Sequence, residues 1–267
     1  MRGLQDKVAI VTGGAASIGL AITEALHAAG VRVVVAARTR EKGEALARRL
    51  GDSVAYLHTD ITRDEQLEQL VAHALQRFGR LDFVVNNACS YVDNGCHSTR
   101  AQWLATLDTN LVSGAILVEI ARPHLAKQRG AVVNMSSISA HAAQSGRWTY
   151  PVSKAGILHL TRLQALDYAR EGIRVNALVA GWTVSDPIDG LAGGDRARAD
   201  RVAGQFHLLG RLGRATEVAD GVLYLCSDNA SFVTGSELRV EGGYLAMGPE
   251  QAGAAITLLT GGQGTVL

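Results

Sequence analysis

Lys7-Val8-Ala9-Ile10-Val11-Thr12-Gly13-Gly14-Ala15-Ala16-Ser17-Ile18-Gly19 decides the fold of this chain. Its first half is a short apolar run, which reads as a strand buried on both faces. The run stops at a cluster of small residues. A helical pattern follows through Leu20, Ile22, Ala25 and Leu26 and closes at Gly30. Small residues let the chain turn tightly and bring backbone N–H groups and a helix N-terminus to one point. A pyrophosphate suits such a turn, so the stretch reads as a dinucleotide site at the head of a sheet.

Outward from this unit the same alternation repeats. Apolar strands are predicted at 31–37, 54–57, 81–85, 131–135, 174–178 and 237–240, and helices at 40–50, 63–78, 100–127, 150–170 and 215–226. Short buried strands alternating with helices mean βαβ units and a parallel sheet. The fold expected is α/β, one doubly wound parallel sheet (a Rossmann fold) with helices on both faces and ligands at the C-terminal strand ends. A polar, glycine-containing segment at 185–205 breaks the rhythm.

The chain has 267 residues, enough for one such domain. With 47% hydrophobic residues, 19% charged residues and a formal net charge of +1, it offers no electrostatic reason to expect nucleic acid or an anionic membrane. Cys89, Cys96 and Cys226 show no metal-ligand spacing, so no metal is expected, and the odd thiol suits a reducing cytoplasm. A strand begins within seven residues of the N-terminus, which predicts no signal peptide. No stretch reads as the roughly 20 apolar residues of a membrane span.

A second stretch, Thr149-Tyr150-Pro151-Val152-Ser153-Lys154, carries the chemistry. Tyr150 and Lys154 are four apart and share a helix face. Pro151 suits the first turn of a helix. Tyr150 then sits where the helix dipole favours an anion. An adjacent ammonium lowers a phenol from its ordinary value of about 10, and such a tyrosine exchanges protons with an alcohol or carbonyl. Ser137, at the end of the strand-like run Val132-Val133-Asn134-Met135-Ser136-Ser137, could hold the same substrate oxygen.

Taken together, Thr12-Gly13-x-x-x-Ser17-x-Gly19, Asn86-Asn87-Ala88, Asn110, Ser137 and Tyr150-x-x-x-Lys154 resemble the short-chain dehydrogenase/reductase family of single-domain oxidoreductases. The resemblance covers roughly residues 5–247. It implies Tyr150 as general acid/base, Ser137 as the group orienting the substrate oxygen, and Lys154 as the group that lowers the tyrosine and holds the nicotinamide ribose. It implies Asn110 as the anchor of a proton-relay water. Cofactor contacts are implied at Gly13, Ser17, Ile18, Gly19, Asp60, Ile61, Asn87, Ala88, Gly181 and Thr183, besides Tyr150 and Lys154, and a homotetramer is the implied assembly.

Three departures stand out. Ser17 replaces the middle glycine of the phosphate loop, and fits if its backbone stays at negative φ. Cys89 replaces the glycine of Asn-Asn-Ala-Gly, as packing or as a redox thiol. Ala180-Gly181 replaces Pro-Gly, which loosens the turn before the nicotinamide.

The second strand ends Val35-Ala36-Ala37-Arg38-Thr39-Arg40. Ala37 stands where an acid would bond the ribose 2′-OH of NAD, and Arg38 follows where an arginine accommodates the 2′-phosphate of NADP. NADP(H) is favoured and NAD(H) remains possible. For the substrate, the resemblance implies a pocket from residues after Ser137, before Tyr150 and after Gly181, under a lid at 186–206. Tyr91, His141, Gln144, Trp148 and Trp182 are the candidates. Two tryptophans suit a ring or flat apolar surface, or Trp148 packs at a subunit interface. The lid's Asp195, Arg196, Arg198, Asp200 and Arg201 read as a solvated helix face.

These readings predict an NADP(H)-dependent oxidoreductase interconverting a secondary alcohol and a ketone. An NAD-linked dehydrogenase of a diol or sugar is the second reading, and a cofactor-sensing binding protein without turnover the third. Residues 248–267 form an apolar extension. Ile256, Leu258, Leu259, Val266 and Leu267 are expected to dock across a subunit boundary and help close the pocket.

Overall fold

The computed structural model describes residues 1–248. The docking expected of the C-terminal extension falls, beyond Gly248, outside the described residues. Seven parallel strands form one sheet: β1 (Val8–Thr12), β2 (Arg32–Ala37), β3 (Val54–His58), β4 (Phe83–Asn86), β5 (Ala131–Ser137), β6 (Arg174–Ala180) and β7 (Glu237–Val240). Their order is β3-β2-β1-β4-β5-β6-β7. The order reverses between β1 and β4, and at that switch point such sheets bind ligands.

The central strands read as apolar runs because each feeds two cores. Along β1, Ala9 and Val11 face one layer while Val8 and Ile10 face the other. Along β2, Val33 and Val35 separate from Val34 and Ala36 in the same way. That is the two-residue period of a pleated strand with no polar side. Each fully buried Val, Ile or Leu stabilises the fold by about 1.5–3 kcal/mol relative to exposure. Helices α1 (Ser17–Ala28) and α9 (Ala215–Cys226) cover the first layer through Ile22, Leu26, Val218 and Leu225. Helix α2 (Arg40–Leu50) joins it through Leu46. Helix α3 (Asp64–Phe78) covers the second through Leu67, Leu70 and Phe78.

The single helix expected at 100–127 is interrupted. Helix α4 (Arg100–Leu107), begun by a Thr99/Gln102 capping box, passes through a π-helical turn at Asp108–Val112 into α5 (Ser113–Gln128). The whole run Arg100–Gln128 has the length and apolarity of a membrane span, which corrects the expectation that no stretch does. One face of it packs in the second layer, where Leu117, Val118, Ala121 and Leu125 are buried. Helix α6 (Thr149–Tyr168) runs beside β5 and β6. The polar segment after β6 folds as two short helices, α7 (Asp186–Leu191) and α8 (Arg196–Ala203), over a small core of Ala199, Ala203 and Leu212. Its charges are partly paired: Arg196 holds Asp189, and Arg214 reaches Asp200 at 3.5 Å.

Candidate active site

The turn after β1 is fixed by glycines that have no room for a side chain. Gly13 lies at φ 65°, and a Cβ there would come within 3.1 Å of the Ala88 Cα. A Cβ on Gly19 would collide with the Gly13 carbonyl oxygen and come within 2.5 Å of Asn87 Nδ2. Thr12 and Asn87 lock the loop from below. The Thr12 hydroxyl oxygen accepts from the backbone N–H groups of Asn87 and Ala88, both at 3.0 Å, and Asn87 Nδ2 donates to the Thr12 carbonyl at 2.9 Å. Helix α1 starts at Ser17-Ile18-Gly19 with no side-chain cap and no acid in its first turn. An uncapped helix start with free N–H groups fits a pyrophosphate.

Ser17 corrects the expected backbone. It sits at φ 47°, in the left-handed region, so it takes the glycine-like conformation rather than avoiding it. Its hydroxyl oxygen accepts from the Asp186 N–H at 3.2 Å, tying the phosphate loop to the first residue of α7. Ala180 does not loosen the next turn either. It stays in β6, in register with Ser137 and Val240, and the Gly181 N–H donates to the Val240 carbonyl at 3.0 Å. An alanine continues the ladder that a proline would end.

The other cofactor candidates gather at the same end of the sheet. Arg38 is exposed just past β2, and Asp60 and Ile61 follow β3. The Thr62 backbone N–H, chief among several causes, holds the Asp60 carboxyl below its usual value, with Arg38 contributing by its charge. Gly181 and Thr183 follow β6, with the buried Thr183 hydroxyl donating to the Gly181 carbonyl at 3.1 Å.

Ser137, Tyr150 and Lys154 come together where β5 ends and α6 begins. Tyr150 is the second residue of α6 and is 8% exposed. The Ser137 hydroxyl oxygen accepts from the Ser139 N–H at 3.3 Å, which leaves its own proton free to point outward. Lys154 Nζ lies 5.5 Å from the Tyr150 ring centroid but donates to the Met135 carbonyl at 2.9 Å. The expectation of a phenol lowered by this ammonium is corrected. Burial pushes Tyr150 above its usual value, while Ser137, the Arg147 guanidinium and the Tyr91 hydroxyl act against it.

Asn110, in the π-turn, spends its side chain on positioning. Its oxygen accepts from the Ser90 N–H at 2.6 Å, and its Nδ2 donates to the Ser90 carbonyl and the Ser153 hydroxyl, both at 3.0 Å. Ser153 in turn donates to the Tyr150 carbonyl at 2.7 Å. Both Nδ2 protons are therefore spent, which leaves a water only the backbone or the second lone pair of the side-chain oxygen.

The substrate candidates divide. Tyr91 stacks on Tyr150, with centroids 5.1 Å apart and planes 22° apart. Gln144 sits in the turn before α6, its carbonyl accepting from the Arg147 N–H at 3.3 Å. Trp148 is half exposed beside Tyr150. Trp182 packs its ring against Phe206 at 5.5 Å and His207 at 6.1 Å, against the small core of α8. His141 is drawn away: its Nε2 pairs with Glu237 at 2.8 Å, three ladder positions down the sheet from the Ala180–Val240 end. Cys89 is half buried, its thiol turned toward the Ser90 carbonyl at 3.4 Å.

Sequence reasoning missed Asp93. Its carboxylate accepts from the backbone N–H groups of Trp148 (2.9 Å), Tyr150 (3.0 Å) and Gly95 (3.0 Å), so a loop residue caps the helix that carries Tyr150. Burial acts to raise the Asp93 carboxyl, but these bonds outweigh it and hold it below its usual value. A carboxyl lowered in the folded state stabilises it above the ordinary carboxylate range, and that contribution fades as pH falls through the folded value. Asp93→Ala should cost about 1 kcal/mol, as a lost N-cap does, or about 2–4 °C in Tm for a chain of this size. kcat should fall more than KM rises, and Asp93→Asn should recover part of both. In acid, as Asp93 protonates in the wild type, the stability gap to the Ala variant should shrink. An Ala variant with unchanged Tm and kcat would remove Asp93 from this role.

Comparison with known proteins fits this geometry. A family model described as enoyl-(acyl carrier protein) reductase, from the short-chain dehydrogenases, matches residues 13–245. L-fucose dehydrogenase of Mus musculus is 37% identical, over 89% of this chain and 88% of the relative. Cis-4-hydroxycyclohexanecarboxylate dehydrogenase of Sinomonas cyclohexanicum is 36% identical over 91% and 98%. A 2,5-dichloro-2,5-cyclohexadiene-1,4-diol dehydrogenase of Sphingobium indicum is 34% identical over 92% and 100%.

Proposed function

The chain belongs to the short-chain dehydrogenase/reductase family, and from that premise we propose an NADP(H)-linked oxidoreductase that interconverts a secondary alcohol and a ketone on a small, ring-shaped substrate. The observation that carries this reading is the buried Tyr150 phenol at the head of α6, with Ser137 at the end of β5 and Lys154 one turn on. When bound, the nicotinamide supplies or accepts the hydride.

In the reductive direction the Ser137 hydroxyl donates to the substrate carbonyl and fixes its orientation. Tyr150 passes its proton to that same oxygen, and Lys154, one turn on, is placed to hold the nicotinamide ribose. A new proton would reach Tyr150 from solvent through a water anchored at Asn110 in the π-turn. A phenol raised by burial is protonated at neutral pH and ready to act as an acid. Oxidation needs it deprotonated, so kcat for oxidation should climb as pH rises above neutral.

The cofactor preference rests on Ala37 and Arg38. The exposed Arg38 side chain makes no hydrogen bond or ion pair among the described residues and so is free for a 2′-phosphate. Replacing Ala37-Arg38 by Asp-Leu should move the NADP-to-NAD ratio of kcat/KM toward NAD by about 10–100-fold, the scale of charge-assisted hydrogen bonds. A wild-type enzyme that already prefers NAD would overturn the preference. The relatives named for L-fucose and a cyclohexadiene diol favour a second reading, an NAD-dependent dehydrogenase of a diol or sugar. The same comparison separates the two, run with L-fucose, cyclic diols and hydroxycyclohexanes.

We assign a homotetramer to the exposed apolar residues Leu104, Val112, Val152, Leu163 and Leu166 on α4–α6, which sedimentation tests. A cytoplasmic setting goes with this reading, with Cys89, Cys96 and Cys226 as free thiols.

A further inference from the structure

Arg147 stands three residues before Tyr150, on a turn that is tightly fixed. Its N–H donates to the Gln144 carbonyl, and the next residue, Trp148, is held by Asp93. Its guanidinium carbon lies 5.6 Å from the Tyr150 ring centroid. Three arginines of the segment after β6 hold carboxylates: Arg196 with Asp189, Arg211 with Glu217, Arg214 with Asp200. The Arg147 side chain makes no ion pair or hydrogen bond among the described residues, although it is only partly exposed. Its five N–H donors stay open beside the Tyr150 ring, so an anion entering there meets a cation that no carboxylate of the described residues neutralises.

We infer that Arg147 receives a carboxylate of the substrate, so that the alcohol or ketone handled at Tyr150 belongs to a hydroxy or oxo acid. This rests on the oxidoreductase reading above and narrows its substrate class. The fork of a guanidinium matches a carboxylate in two parallel hydrogen bonds. The ring of Tyr150 lies beside it, and the phenol is where the reacting oxygen binds, so the acid group sits a few bonds from the reacting carbon. A carboxylate is preferred to a phosphate because Arg147 is the single unpaired cation of this turn. Asp93, bonded to the backbone of Trp148 and Tyr150, also places a negative charge nearby that would repel a dianion. Tyr91, stacked on Tyr150 and half exposed, offers a flat wall for the carbon skeleton between the two ends.

Arg147 also lowers the Tyr150 phenol by its charge, so its loss alone affects every substrate. The test therefore compares hydroxy acids, 3- and 4-hydroxycyclohexanecarboxylate and 3-hydroxybutyrate, with their methyl esters, and reads the acid-to-ester ratio of kcat/KM. Arg147→Gln should reduce that ratio by about 10–100-fold, mostly through KM of the acid. Arg147→Lys should restore part of it, since it keeps the charge and loses the fork. A common shift of the pH profile, equal for acid and ester, reports only the phenol. Wild-type enzyme that turns over esters or neutral diols as well as acids, or an Arg147→Gln variant with an unchanged ratio, overturns the carboxylate site and leaves the oxidoreductase reading intact. If no alcohol of either set is oxidised with either cofactor, the oxidoreductase reading fails and this inference falls with it.

Discussion

Tyr150→Phe should lower kcat by about 10²–10⁴-fold, the usual contribution of a general acid/base, while NADPH binding changes little. Phenylalanine keeps the ring that stacks on Tyr91 and lies beside Lys154 and Arg147. It removes only the phenolic oxygen, whose proton Ser137 and Tyr91 act to loosen. The backbone tie from the Tyr150 N–H to Asp93 is also kept, so α6 should start as before. Titration of NADPH fluorescence separates the two outcomes. Turnover and binding lost together would mean that the ring packs a cofactor wall and does not act as the acid.

Gly19→Ala should be the second large effect. The new Cβ would meet the Gly13 carbonyl and Asn87 Nδ2, neither of which is the flexible end of a long side chain. Overpacking of this kind costs about 1–3 kcal/mol. Because the displaced atoms belong to the phosphate loop, the cost should appear as a loss of up to about a hundredfold in affinity for both cofactors. Calorimetric titration measures it directly. Normal cofactor affinity in the Ala variant would place the pyrophosphate elsewhere than on this turn.

The sheet was legible because its central strands are apolar on both faces, so Val8 to Thr12 and Arg32 to Ala37 read as runs even without a partner in view. Tyr150 and Lys154 were legible because four residues on one helix fix their relation locally. What the sequence did not disclose depends on contacts between distant segments. Asp93 caps α6 across 55 residues of chain. His141 looked like a pocket residue, but Glu237 captures it from 96 residues away. The phenol of Tyr150 was expected to be lowered by a neighbour in sequence, yet its burial by the loop through Tyr91 has the larger effect. Ser17 shows the reverse case. Its left-handed backbone was unfavourable on propensity alone, and a hydrogen bond from Asp186 accompanies it in the folded chain.

The central claim is that Tyr150 moves a proton while a hydride passes between substrate and nicotinamide. It is tested most directly by nicotinamide absorbance in a stopped-flow experiment with NADP⁺ and cyclic secondary alcohols, across a pH series, for wild type and Tyr150→Phe. The account predicts a substrate-dependent rise in reduced nicotinamide whose rate climbs with pH in the wild type and is nearly absent, at every pH, in the Phe variant. A wild-type protein that binds NADP⁺ tightly but produces no reduced nicotinamide with any alcohol, or a Phe variant with the wild-type rate, would contradict it.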